Sequence, residues 1–333
     1  MKNILLFFTM LFALIACNSS SADKSAKDSY RPESTGTPYE VFVIATAGEW
    51  NGIAGDTLRA VLGQNVEMLN MEEPYFGVKY ITKASLNNLI AKHRNLILFN
   101  IADSIKTTTI TADYDVKSAP QVIVSMTSPS ADSLAKYISD NRAQVLEFFD
   151  NIEQDRFVAR MRKYPAKDLN KLVDSMFNIQ ISIPTGYLLR NVIGDDFAWI
   201  SYEMPFASQG IVIYSYPYTE GMVFDSEFMT EKRNQYVSQI PGQLENTFMT
   251  TSEYVQPVVE VRTINGTEWI ETKGFWDLKN DFMGGPFRSY TTVDKTTNKV
   301  ITIDTYVFSP KESKGKRNFV KQLEAVVRTI KLK

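Results

Sequence analysis

The sequence predicts a mixed α+β protein of two layered α/β domains, the second built on a mostly antiparallel sheet covered by helices. Three observations carry this. Up to about residue 178, short apolar strand-like runs alternate with helical patterns, which favours an α/β layer. Beyond Asn178, short alternating segments follow one another with turn signals between them. Among these, Asn265-Gly266 between two β-rich runs is the strongest short hairpin signal a sequence offers.

The order along the chain gives four parts: residues 1–16, 17–38, 39–178 and 179–333. Met1-Lys2-Asn3 is a short positive start, and Ile4 to Ala16 is apolar apart from Thr9, a run of 13 residues. A spanning helix needs about 20 apolar residues and a signal h-region about 7–15, so the run reads as a cleaved signal. Leu14-Ile15-Ala16-Cys17 reads as a lipobox, with small Ala16 before the cut and Leu14 three residues before the cysteine. Lipidation of Cys17 with two or three acyl chains, palmitate among them, anchors the chain stably, where one chain alone binds only marginally. Membrane contact is therefore expected through the lipid on Cys17, at the cell envelope, on the outer membrane facing the periplasm. No later stretch has 18 uninterrupted apolar residues, so no transmembrane helix is expected.

Residues 18–38 read as a disordered tether, because Ser, Thr, Pro and balanced charges leave nothing apolar to bury. A coil of that length spans about 25 Å. Tyr39–Thr46 (YEVFVIAT) is a buried-strand pattern, followed by a glycine-rich turn and a helix through Leu58, Val61 and Leu62. The glycine spacing fits no phosphate-binding loop, and Asn51 or Asp56 capping the helix accounts for it. Pro74–Ile81 is a strand, Ala84–Lys92 a helix, and Asn95–Ile101 and Pro120–Met126 are strands. Residues 130–178 read as two helices broken near Pro165, the first capped by Asp132. Leu134, Ile138, Val145, Phe149 and Ile152 make one apolar face.

In the last part, Tyr187–Ile193, Phe197–Glu203 and Gln209–Tyr216 are strands, and Asp225 opens a helix that Pro241-Gly242 ends. Val258–Ile264 and Thr267–Lys273 form one hairpin, Phe287–Val293 and Lys299–Phe308 another. A closing helix puts Phe319, Val320, Leu323, Val326, Val327 and Ile330 on one face.

Composition excludes several chemistries. Hydrophobic residues are 44% and charged residues 22%, ordinary for a globular chain. Loss of residues 1–16 takes Lys2 and no acid, moving the formal charge from −2 to −3. That balance lacks a basic stripe and makes nucleic acid no partner. Cys17 is the sole cysteine and His93 the sole histidine, so Cys/His zinc sites and a Cys–His dyad are out of reach. His93 reads as a surface residue at a helix end. No cofactor or metal is implied.

The most site-like cluster is Trp269, Glu271, Trp276 and Asp277. In a strand, Trp269 and Glu271 share a face; with Ile270 turned to the core, Trp269 would lie outward. An outward tryptophan beside a carboxylate can stack on a sugar or simply cover a neighbouring helix. Asp277, Asn280 and Asp281 before Gly284-Gly285-Pro286 are the oxygen-rich turn closest to a cation site, without EF-hand spacing. The expected activity is that of a binding or structural module, its partner an envelope protein at the domain junction, with glycan binding or processing as the rival.

Several segments together resemble one family: YEVFVIA and GEWNG at 39–52, IPTGY at 183–187, IVIYSYPY at 211–218, the IPG turn at 240–242, and YVFSPK with QLEAVVRTIK near the end. The chain is similar in them to the lipoproteins of the domain of unknown function 4837 family (DUF4837). The resemblance implies a Gram-negative envelope lipoprotein over most of residues 39–333, and it assigns no catalytic or binding residue. The second half is also similar in element order to PsbP-like α/β/α sandwiches, a likeness of fold that implies no function.

Overall fold

A computed structural model describes residues 31–310 and 315–333. The expected signal, Cys17 and the first part of the expected tether lie outside the described residues.

The first half is a five-stranded sheet in the order β2-β1-β3-β5-β4. Its strands are β1 (Glu40–Ala45), β2 (Gly77–Thr82), β3 (Asn95–Ile101), β4 (Thr109–Tyr114) and β5 (Val122–Ser128). All pair in parallel except β4, an antiparallel edge. The run VFVIA makes β1 a buried strand because parallel strands are covered on both faces. Helices α1 (Ala47–Trp50), α2 (Ile53–Leu62), α3 (Ala131–Asp140), α4 (Arg142–Lys163) and α5 (Lys167–Phe177) complete this part of the chain.

Several expectations change here. Thr46 caps α1 in a capping box with Glu49, and α2 begins at Gly52 with no side-chain cap, so neither Asn51 nor Asp56 is the capping residue. The expected helix 84–92 is two isolated 3₁₀ turns, Lys83–Ser85 and Ile90–Lys92. Asn87 causes the break: its Oδ1 accepts from the backbone N–H groups of Leu89 and Ile90, competing with a continuous helix. Residues 130–178 form three helices, with a further break at Asn141 and with Ser130, not Asp132, as the first cap.

The end of the expected tether is docked. Glu33 bridges Ala119 and Thr35 bridges His93, both in parallel fashion. Gly36, at φ +92°, lies so close over His93 that a Cβ there would fall 2.0 Å from Nε2. His93 is therefore buried, not a surface residue. Its Nε2 is 3.2 Å from Glu40 Oε2 and its Nδ1 2.9 Å from the Asn95 carbonyl oxygen.

The second half is an eight-stranded antiparallel sheet, β10-β12-β13-β14-β9-β8-β7, with β11 also paired to β12. Its strands are β7 (Leu188–Ile193), β8 (Phe197–Met204), β9 (Ala207–Pro217), β10 (Phe248–Thr251), β11 (Val258–Ile264), β12 (Thr267–Lys279), β13 (Gly284–Asp294) and β14 (Lys299–Phe308). A short pair, β6 (Ile179–Gln180) with β15 (Lys331–Leu332), closes the chain end. Asn265 and Gly266, both at positive φ, make the β11–β12 turn. Helix α6 (Ser226–Val237), capped by Asp225, covers one face. Arg233 fixes it there, bonded at 2.7 Å to Asp304 and 3.7 Å over the Phe287 ring.

Helix α7 (Lys316–Val327) covers the other face. Its Val320, Leu323, Val326 and Val327 join Ile211, Ile213, Ile301 and Ile303 of the sheet in one core, continuous with Val41, Leu58 and Phe157 of the first half. A buried carboxylate seats the helix. Glu73, just before β2, accepts from the backbone N–H groups of Gly315, Lys316 and Arg317 at 2.9, 2.9 and 3.4 Å. These are donors the helix cannot satisfy itself, at the positive end of its dipole. Arg317 returns the contact, donating to the Pro74 carbonyl at 2.7 Å.

Glu73→Ala should therefore lower unfolding free energy by about 2–3 kcal/mol in urea titration, the cost of a lost charged cap. Glu72→Ala, next door and exposed, should leave it unchanged.

Candidate binding groove and charged cluster at the junction

Beneath α7, beside the apolar core residues, the sheet also carries charge. In register, Glu271 of β12 faces Tyr290 of β13, and Arg288 follows two residues before on the same face. Arg288 lies 3.3 Å from Glu271 and 2.9 Å from Glu324 of α7. Tyr290 donates its hydroxyl to Glu271 at 3.1 Å, and Arg262 of β11 pairs with the other Glu271 oxygen at 2.8 Å. Lys321 of α7 joins Glu324 at 3.0 Å and Asp150 of α4 at 3.2 Å. Lys273 reaches Glu260 and, across from the first half, Glu67.

The electrostatics of this cluster are those of a clamp. Burial alone would raise the Glu324 carboxyl, but Arg288 and Lys321 outweigh it and hold the group below the usual carboxylate range. Burial alone would lower the Lys321 ammonium, but Glu324 and Asp150 hold it above its ordinary value. Burial, reinforced by Glu271, pushes the Tyr290 phenol well up. Glu324 moves down and Lys321 and Tyr290 move up, away from the neutral range where a group exchanges protons readily in catalysis. A small recess of about 180 Å³ adjoins the cluster.

A larger open groove of about 580 Å³ lies nearby. Asn70 of the first half lines it, with Phe275 and Asp277 of β12, Phe282 of the following turn, Phe308 at the end of β14, and Lys316. Gly284 and Gly285 are packing devices in its floor. A Cβ at Gly285 would lie 2.1 Å from the Val307 carbonyl oxygen, and one at Gly284 2.6 Å from Asp277 Oδ1.

The four residues expected to form one cluster are dispersed. Trp269 is 1% exposed and packs in the core beneath α7, whereas Trp276 is 2% exposed in the core beneath α6. Trp269 does not point outward. The expected strand ended at Lys273, but β12 runs 13 residues to Lys279. An odd separation in one strand puts the two indoles on opposite faces. They share no cleft, which removes the support for the glycan reading. Glu271 belongs to the charged cluster and Asp277 alone lines the groove. The oxygen-rich turn does not converge either. Asp281 accepts from the Phe282 N–H and Asn280 donates to Asn246. Among the described residues no group of three acidic, His or Cys side chains could hold a metal.

The sequence reading missed Glu73, Arg288, Lys316, Lys321 and Glu324. One signal was available: Lys321 and Glu324, three apart, interrupt the apolar face of the last helix.

Comparison with known families divides the chain. Residues 166–329 match the family described as Domain of unknown function (DUF4837). This match takes in nearly all of the second half of the chain. Residues 34–162 match a different family, Domain of unknown function (DUF8532), so the DUF4837 match is narrower than the whole folded body. The two matches meet at the break between α4 and α5. Most of the charged cluster lies within the DUF4837-matched residues, with Glu67 and Asp150 coming from the DUF8532-matched ones. A comparison with curated proteins finds no match. Among solved structures, the "Crystal structure of LpqN involved in cell envelope biogenesis of Mycobacterium tuberculosis" aligns at 9% identity and TM-score 0.27. It covers 46% of this chain and 81% of that one, a level of likeness from which no activity follows. Among the described residues no helix is long and apolar enough to cross a membrane.

Arg288→Met takes away the cation shared by Glu271 and Glu324, leaving them Arg262 and Lys321, and should cost about 2–3 kcal/mol, read by chemical denaturation. The cluster also fixes the pH response. Glu324 contributes fully above the ordinary glutamate value of 4.5, and that contribution is lost as pH falls through its lower folded value. Lys321 contributes fully below its ordinary 10.5 and loses it as pH rises through its higher folded value. The contribution of this pair should be flat between these limits, and Glu324→Gln should shrink the acid-side fall in the thermal midpoint.

Proposed function

We propose that the chain is a lipid-anchored protein of the cell envelope, held to the outer membrane through acylated Cys17 and facing the periplasm. It acts there as a non-catalytic binding module. The observation that carries the binding reading is the open groove of about 580 Å³ lined from both halves of the chain. Concave, largely apolar sites with a few placed polar groups are where ligands and partner segments bind. Fully exposed Phe282 at its rim gives a partner an aromatic anchor. The charged cluster supports the non-catalytic side of the reading, since Glu324, Lys321 and Tyr290 are driven away from neutral titration.

Two measurements test this. Labelling with a fatty-acid analogue should mark the native chain and not Cys17→Ala, and Cys17→Ala should leave the membrane fraction. A photo-crosslinking amino acid in place of Phe282 should capture a discrete species in intact cells. The same group in place of Tyr114, exposed on the β4 edge, should not. Equal capture at both positions, or none at Phe282, sinks the reading.

A further inference from the structure

We propose that the groove takes its ligand by an anionic head group, a carboxylate or a phosphate, which pairs with Lys316. This names the ligand class for the binding reading above and rests on it.

Lys316 is the first residue of α7, is only 3% exposed, and lines the groove. Among the described residues its ammonium makes no hydrogen bond and no ion pair; Glu73 is reached by the backbone N–H of Lys316, not by the side chain. The other two buried lysines differ. Lys273 is held by Glu67 and Glu260, and Lys321 by Asp150 and Glu324. Glu73 is the neighbouring acid, but its oxygens are engaged by three N–H groups of the helix start. Burial depresses the Lys316 ammonium, with Glu73 the opposing influence.

An unpaired cation taken out of water is costly, and methionine would fill the same volume without that cost. A ligand anion reaching the ammonium from the groove removes the penalty. The rest of the lining describes the ligand. Phe275, Phe308 and Val255 offer apolar walls, while Asn70, Ser252 and Ser309 offer hydrogen bonds. That combination suits an amphipathic molecule with an acidic head and an apolar body. Asp277, also on the lining, repels a second negative charge and directs the head towards Lys316.

The test uses the full chain carrying Cys17→Ser, so its result does not depend on lipidation. Binding of 4-phenylbutyrate, 4-phenylbutyl phosphate and 4-phenylbutylamine is followed by protein NMR shifts at groove residues. One or both anions should bind and the amine should not; which anion is preferred tells a carboxylate ligand from a phosphate one. Lys316→Met should weaken anion binding about ten- to a hundredfold, the worth of one charge-assisted bond. Lys316→Arg should retain most of it, and Asp277→Asn should equal or exceed the unmodified chain. Near-ultraviolet circular dichroism confirms that each variant is folded. The inference falls if the amine binds as well as the anions, or if Lys316→Met binds like the parent. If no probe shifts any groove residue, the binding reading falls with it.

Discussion

One carboxylate joins the two halves of this protein. Glu73 leaves the loop before β2, enters the interior, and accepts three N–H groups at the start of α7. A helix start leaves donors unsatisfied, and a buried start must find acceptors or lose free energy. Here the acceptor comes from the other half of the chain. The helix so placed carries apolar residues to the sheet below and Lys321 to Asp150 on α4 beside it. The shared core, the charged cluster and the wall of the groove each follow from that seating.

The charged cluster under α7 is chemically expensive. Arg288, Glu271 and Glu324 are largely removed from water, and ions are retained in an interior only when each has partners. Its members come from β11, β12, β13, α7 and α4, so no single element satisfies the set. Each charge finds its partners only when all of these elements sit in this one arrangement. Specificity of docking, rather than net stability, is the property such a network supplies.

Strands were legible in the sequence wherever pattern and turn agreed. Asn265-Gly266 fixed a hairpin, and YEVFVIAT marked the buried centre of the parallel sheet. Element ends were less legible. The helix expected over 84–92 fails because Asn87 bonds its own backbone, a competition invisible to periodicity. Trp269 was placed on the wrong side because β12 lies between two cores, so neither of its faces is an outside. Most of the site could not be read at all. Glu73 and Gly315 stand far apart in the chain, and nothing local at either position announces their meeting.

The stretch from Arg31 to Thr35 runs alongside the starts of β5 and β3, bridged at Glu33–Ala119 and Thr35–His93. Because those bridges are parallel, a pull on the chain from its amino-terminal side meets them side by side in shear, instead of peeling them open in turn. Tension applied from that side is thus delivered to β3 and β5, inside the sheet. The amino-terminal stretch is tied to interior strands rather than to a frayed edge.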